Sequence, residues 1–288
     1  MPFWPKSPDG KSLREIEPLR RRYDAHLSRL GKDADKIAFE PGQLGPIKGE
    51  WLRAPDGAQA RILLYFHGGG YIAGTPRTHR ALLEKLAQAG EAGAFSVAYR
   101  LAPECNFPAP VRDGVDAYRA LLGRGAPAHT IILAGDEAGG GLAFAVMLAI
   151  RNAGLAMPAG LVALSPWADL TLSGWSMLEN RQSDKRLDRD MLFSCARHYL
   201  KNANPADPYA SPVFADFKNF PPVMVHAGAA EILRDDASRL GACAAEAGIA
   251  ISVEISDGMG HLFQADARAA QARASLGRLG HFIRSRTK

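Results

Sequence analysis

The chain has 288 residues, 47% of them apolar and 23% charged, with a net charge of +5. That is the make-up of an ordinary globular protein, long enough for one large core or a core with a cap. Three scattered cysteines, Cys105, Cys195 and Cys243, without CxxC or HExxH, exclude a disulfide framework and give no reason to expect a metal or any other cofactor.

The N-terminal stretch Met1-Pro2-Phe3-Trp4-Pro5-Lys6 lacks the apolar run of a signal peptide, and no 18-residue apolar segment predicts a membrane span. The expected location is therefore cytoplasmic. Ser12-x-x-Glu15 has the form of a capping box, followed by Leu13, Ile16, Leu19, Tyr23, Leu27 and Leu30 at helical spacing. Pro18 interrupts that pattern, so one kinked helix and two short ones are both consistent with it. Arg20-Arg21-Arg22 reads as a solvated helix face, and without interleaved aromatic residues it gives no case for nucleic acid. Residues 1–45 are assigned to an N-terminal cap arm and 46–288 to a catalytic domain.

Five near-continuous apolar segments predict strands covered on both faces: Arg61–Phe66, Phe95–Tyr99, Thr130–Ala134, Leu161–Leu164 and Val223–His226. Ile249–Ile255 alternates and fits an edge strand, and Ile47–Arg53 adds an antiparallel strand at the start. Helical patterns intervene, marked by Leu82, Leu83 and Leu86; by Val111, Val115, Tyr118 and Leu122; by Leu142–Ile150; by Ala237, Leu240 and Ala244; and by Leu276, Leu279 and Ile283. Alternating strand and helix imply an α/β fold with a mostly parallel central sheet flanked by helices. The long stretch between Ser165 and Val223 exceeds an ordinary loop. Its helical part, Arg189–Leu200, and the proline-rich return around Asp207 predict a helical cap inserted at about 168–206, over the strand ends where open sheets bind ligands.

Ala134-Gly135-Asp136-Glu137-Ala138-Gly139-Gly140 joins an apolar strand to a helix through a sharp glycine-flanked turn. This is the layout of the α/β-hydrolase nucleophile elbow, ordinarily G-x-S-x-G, with glutamate in the serine's place. The elbow predicts strained backbone at Glu137 and a side chain exposed in the pocket. His67-Gly68-Gly69-Gly70 follows the first central strand, where glycines free backbone N–H groups to face a ligand. Alone it would read as a flexible turn; paired with the elbow it reads as an oxyanion hole, with His67 as a structural hydrogen-bonder.

With these motifs go Tyr99-Arg100-Leu101-Ala102-Pro103-Glu104, Ser165-Pro166-Trp167-Ala168-Asp169-Leu170 and Asp207-Pro208-Tyr209-Ala210-Ser211-Pro212. From about Ile47 onward the chain resembles the hormone-sensitive-lipase family of α/β-hydrolases, in its bacterial small-esterase branch. The resemblance implies an α/β-hydrolase fold with a helical cap and an oxyanion hole formed by the N–H groups of Gly69, Gly70 and Ala138. It implies an acid at Glu231, within Gly228–Asp236, and a histidine at His261 in His261-Leu262-Phe263, in the order nucleophile, acid, histidine. It also suggests a small-molecule substrate and a homodimer.

Glutamate at 137 changes the chemistry expected. Attack of a carboxylate on an acyl carbon gives an anhydride, so ordinary esterase activity is not expected. On a saturated carbon it gives an ester, which His261 and Glu231 could help water to cleave, as epoxide hydrolases and haloalkane dehalogenases do with aspartate. Tyr71, Tyr199 and Tyr209 are candidates by position for the acid that epoxide opening needs. Glu137 also fits a general base coupled to His261, with amide hydrogen bonds favouring its ionised form. The alternatives are an esterase scaffold inactivated or altered at its nucleophile and a non-catalytic binder of small ligands; the second has no use for a Glu231–His261 pair.

Overall fold

Apolar runs bounded by turn residues become the strands of a single eight-stranded sheet in the computed structural model, which describes residues 16–18, 20–21, 24–25, 39–52, 61–266 and 268–287. The strands are β1 (Phe39–Leu44), β2 (Ile47–Leu52), β3 (Ile62–Phe66), β4 (Gly93–Val97), β5 (Ile131–Asp136), β6 (Gly160–Leu164), β7 (Val223–Gly228) and β8 (Ile251–Ser256). Their order is β1-β2-β4-β3-β5-β6-β7-β8; β2 runs antiparallel to both β1 and β4, and all later pairs are parallel. The alternating strand β8 lies at the far edge, as its pattern predicts.

The helices are α1 (Pro76–Gly90), α2 (Ala109–Gly123), α3 (Ala138–Asn152), α4 (Ser176–Glu179), α5 (Arg189–Leu200), α6 (Arg234–Glu246) and α7 (Ala270–Arg286). Successive strand residues point to opposite faces, which explains the unbroken apolar runs. Leu63 and Tyr65 join α1 and α7 residues such as Leu83 and Ile283 in one cluster, while Leu64 and Phe66 join α2 and α3 residues such as Tyr118 and Leu142 in the other. Helix α3, behind the elbow, is buried on nearly every side, from Ala138 to Leu148.

Two features differ from the sequence expectation. Residues 39–44, assigned to the N-terminal arm, form the first edge strand, joined to β2 through Gly45-Pro46 with Gly45 at φ 56°. Pro41 and Gly42 interrupt its apolar pattern and hid it. Arg20, read as part of a solvated face, is half-buried: its guanidinium donates to the carbonyls of Ile72 (2.5 Å) and Ala102 (2.7 Å) and pairs with Glu104 (2.6 Å). It ties the arm to the glycine loop and to the Tyr99–Glu104 motif. Residues 16–18, 20–21 and 24–25 are helical, whereas Ser12, Leu13, Glu15, Leu19, Tyr23, Leu27 and Leu30 lie outside the described residues.

The insertion between β6 and β7 carries α4 and α5. Asp188 caps α5 by accepting from Met191 N at 2.8 Å, and the helix buries Met191, Leu192, Cys195, Ala196 and Tyr199. This buried stripe packs on the strand ends: Tyr199 stacks on Tyr71 with ring centroids 3.9 Å apart, and a methyl group added at Gly70 would lie 2.7 Å from Cys195 Sγ. Among the described residues, no helix is long and apolar enough to cross a membrane.

Candidate active site

Glu137 occupies the turn between β5 and α3 with φ 49° and ψ −119°, a conformation costly for any residue with a side chain. The surrounding backbone fixes it there. Glu137 N donates to Leu164 O at 3.0 Å, and Glu137 O accepts from Trp167 N (2.8 Å) and Gly141 N (3.1 Å). The flanking glycine Gly139 is required by close approach, since a Cβ there would lie 2.0 Å from Phe66 O.

The side chain does not project into the open pocket, as the elbow geometry alone predicts; Glu137 is 2% exposed. Its Oε2 accepts from Gly69 N at 2.5 Å and Gly70 N at 3.2 Å, so the carboxylate is drawn into the hole predicted for a substrate oxygen. Its Oε1 is buried without a hydrogen-bond partner. Burial raises the Glu137 pKa, with the charge of Asp136 adding to it; His261 and the Gly69 and Gly70 amides pull the other way and are outweighed. The expectation that amide donors favour the ionised form is therefore reversed in the net, because desolvation is the larger effect.

The glycine loop is held from below by Asp136, the residue before Glu137. Its Oδ1 accepts from Gly68 N (3.0 Å) and from Tyr65 OH (2.5 Å), and its Oδ2 faces His79 Nε2 at 3.4 Å. Burial opposes charge on both partners, yet their attraction holds the His79 pKa up and the Asp136 pKa down. His67 is structural, as expected: Nδ1 lies 2.8 Å from Gly68 O, the ring stacks on Tyr99 at 4.3 Å, and burial lowers its pKa to about 3. Ala138, the third donor implied by the resemblance, is buried at the first turn of α3, next to Glu137.

Glu231 and His261 come together although 30 residues separate them, with His261 Nδ1 3.0 Å from Glu231 Oε2. Gly228 N donates to Glu231 Oε1 at 3.2 Å, which orients the carboxylate. Burial alone would lower the His261 pKa, but the hydrogen bond and charge of Glu231, joined by Asp184 and Glu137, raise it. The charge of Glu137 helps to raise the His261 pKa, and the charge of His261 pulls the Glu137 pKa down against burial.

Several supporting residues escaped the sequence reading. From the insertion, Asn180 Nδ2 donates to Ala229 O (2.9 Å) and Glu231 O (2.8 Å), and Asp184 Oδ2 accepts from Ile232 N (2.9 Å). Ser165 Oγ accepts from Leu262 N at 3.1 Å, steadying the residue after His261. These are polar residues joined to the site only by folding, and nothing in their local sequence marks them. Of the three tyrosines, Tyr209 is bonded at its hydroxyl by Asn152 Nδ2 (2.8 Å), Tyr199 lies on α5 and stacks on Tyr71, and the Tyr71 pKa is raised by burial and, to a lesser degree, by the charge of Glu137. Among the described residues, no group of three or more His, Cys, Asp or Glu side chains is placed to hold a metal ion.

Comparison with known proteins agrees with this fold. The family model described as alpha/beta hydrolase fold matches residues 63–265. An acetyl-hydrolase from Streptomyces hygroscopicus is 39% identical over 252 residues, covering 86% of this chain and 83% of its own. An esterase from Acinetobacter venetianus is 34% identical over 261 residues, covering 90% of this chain and 86% of its own. The crystal structure of an esterase from the bacterial hormone-sensitive lipase family has a TM-score of 0.92 and 38% identity, covering 98% of this chain and 94% of that one. The chain belongs to the α/β-hydrolase family of enzymes, in its hormone-sensitive-lipase-like branch of bacterial esterases.

Proposed function

We propose that the protein is a covalent hydrolase of a small, mostly apolar substrate, with Glu137 as the nucleophile in place of serine and the His261–Glu231 pair activating water. The observation that carries this reading is the division of labour in one carboxylate. Oε2 is held by Gly69 N and Gly70 N, while Oε1 is unpartnered. With the hole filled, an ester carbonyl has no place to develop its negative charge, which disfavours ordinary acyl transfer.

Attack on a saturated carbon needs no such place. Oε1 bonds to that carbon and the leaving group departs with its electron pair, an epoxide oxygen taking a proton as it opens. Of Tyr71, Tyr199 and Tyr209, Tyr71 is the one whose pKa the charge of Glu137 raises, after burial, and it is the candidate donor. Water, deprotonated by His261, then adds to Glu137 Cδ, and the charge develops on Oε2 where two amides already point. Collapse expels the alcohol oxygen, formerly Oε1, with the proton from His261; the water oxygen remains in the Glu137 carboxyl, whose leftover proton restores Tyr71. The insertion at about 168–206 is the cap of this site, and from the N-terminal arm Arg20 braces the glycine loop at Ile72 O.

The test is single turnover of styrene oxide in 18O-water. The first diol released should carry no label from water, and the Glu137 peptide should gain one 18O by mass. Label in the first diol, with none in the peptide, rejects the covalent route. A second reading, an esterase scaffold switched off at one residue, is favoured by the raised pKa of Glu137, since the protonated form is a poor nucleophile. Under that reading neither styrene oxide turnover nor labelling occurs, and the Glu137→Ser protein alone hydrolyses short p-nitrophenyl esters.

A further inference from the structure

Between α4 and α5 the insertion runs through Asn180, Ser183, Asp184 and Arg186 as turns and irregular chain. Each of these side chains bonds to the backbone of one of two loops, 47 to 76 positions away in the sequence. Asn180 Nδ2 donates to Ala229 O (2.9 Å) and Glu231 O (2.8 Å), and Ser183 Oγ donates to Ala230 O at 3.1 Å. Asp184 Oδ2 accepts from Ile232 N at 2.9 Å, and Arg186 Nη1 donates to Leu262 O at 3.3 Å. The first loop carries Glu231 and the second carries His261. Asp184 is the centre of this segment, at 6% exposure. Its Oδ1 accepts from Arg186 N (2.8 Å) and Leu187 N (3.0 Å), which turns the segment back and leaves Oδ2 for Ile232 N. That amide follows Glu231 directly, so the bond ends one residue from the acid. On the other loop Leu262 has φ 50°, a costly region for a residue with a β-carbon. Arg186 holds its carbonyl there and Ser165 its amide.

We propose that Asp184 is a positioning residue for the Glu231–His261 pair, contributed by the cap: it fixes the acid loop at Ile232 N and adds a second negative charge to the surroundings of the imidazole. A histidine that takes a proton from water needs its ring in place and its cation stabilised, and a misplacement of about 1 Å can cost about 10²-fold in rate. The charged groups facing His261 are Glu231, Asp184 and Glu137, and all three raise its pKa against burial. Glu231 makes the direct bond, at 3.0 Å, while Asp184 adds charge and holds the loop from which Glu231 reaches. The cap thereby belongs to the acid–base apparatus as well as covering it. This role presupposes the Glu231–His261 pair of the proposed function, and no particular nucleophile.

Titration of His261 in the full chain, followed by NMR of its ring carbons and assigned with His261→Gln, reads this role without turnover. Asp184→Asn keeps the size and removes the charge, and its His261 midpoint should fall by about 0.5 pH unit or more below the parent's. Asp184→Glu returns the charge and should recover about half of that fall or more. Asp188→Ala, which removes the cap of α5 and touches neither loop, should leave the midpoint at the parent's value. In the Glu137→Ser background, Asp184→Asn should lower kcat for p-nitrophenyl butyrate by about tenfold or more, with KM within about threefold. The acid limb of its kcat profile should move to lower pH by the same amount as the NMR midpoint. Thermal melts establish that each variant is folded. An unchanged midpoint in Asp184→Asn, or an equal fall in Asp188→Ala, overturns the proposal. If Asp184→Asn does not fold, Asn180→Ala decides, since it keeps the charge and releases Glu231 O. Its midpoint should lie below the parent's, and equality overturns the proposal. A Glu137→Ser protein without ester hydrolysis, or a failed 18O experiment, counts against the proposed chemistry and leaves the NMR comparison to decide on Asp184.

Discussion

Asp136 and Glu137, neighbours at the elbow, grip successive amides of one glycine loop. Asp136 Oδ1 takes Gly68 N at 3.0 Å, and Glu137 Oε2 takes Gly69 N at 2.5 Å and Gly70 N at 3.2 Å. One carboxylate braces the loop from beneath, and the other takes the two amides proposed as an oxyanion hole. Under the proposed reading the first braces the scaffold, whereas the second occupies the place proposed for an ester's developing negative charge.

Glu137→Ser should therefore gain short-chain ester hydrolysis. Two freed amide donors, each worth about 10²–10³ in rate in comparable enzymes, imply a gain of roughly 10³-fold or more over the parent. In that background His261→Ala and Glu231→Gln should each lower kcat by about 10²–10⁴, because the base is lost or misoriented. Initial rates with p-nitrophenyl butyrate measure all of these. A Glu137→Ser protein no faster than the parent would show that residue 137 is not what withholds activity.

The raised pKa of Glu137 makes stability depend on pH. The folded state holds this proton more tightly than the unfolded chain, whose value is near the ordinary 4.5. The stabilisation is fully present below that value and is lost as pH rises through the folded-state pKa. Glu137→Gln does not titrate, so the stability of the parent relative to Glu137→Gln should decline as pH rises above the ordinary 4.5 and level off above the folded-state value. Urea midpoints across that range check the sign, and a difference that stays flat or rises with pH contradicts it. His261, also raised, should contribute stability that is present below its ordinary 6.5 and lost above its folded-state value.

Asp136→Ala should destabilise the protein by about 3–5 kcal/mol, leaving Gly68 N, Tyr65 OH and His79 without their buried acceptor. Asp136→Asn keeps an oxygen for Gly68 and Tyr65 and should cost less. In the Glu137→Ser background, Asp136→Asn should still lower kcat by about tenfold, because the loop beside the hole loses the charged pair beneath it. Denaturant titration and initial rates separate the two effects.

Gly69→Ala should cost about 3 kcal/mol or more, since a Cβ there lies 2.1 Å from Ala73 O at a φ of +127°. Gly125→Ala is the control. Its φ is +87° but nothing lies within 4 Å of the added carbon, so only backbone strain remains, at about 1 kcal/mol. Similar losses at both positions would show that backbone strain, and not the contact with the Ala73 carbonyl, limits the loop.

The central strands, the elbow and the insertion were legible because each has a local cause. Ile131–Leu133 is a run that only a strand covered on both faces buries, and Gly135 and Gly139 bracket a turn that leaves no room for side chains. The edge strand β1 was not legible, since Pro41 and Gly42 break its pattern and its identity comes from pairing with β2. Likewise, Arg20 has the same local context as Arg21, and only the nearby Ile72 and Ala102 carbonyls distinguish it.

The sequence by itself determined the order of strand and helix and the place of the elbow with Glu137 at its turn, because hydrophobic period and turn chemistry act over a few residues; Glu231 and His261 were named only through the family resemblance. Only the tertiary structure decided what Glu137 does with its two oxygens. That outcome is a contest between desolvation, set by everything packed around the site, and amide donors that lie 67 and 68 residues away in the chain. Burial and charge add over all neighbours in space, and a sequence orders neighbours only along the chain.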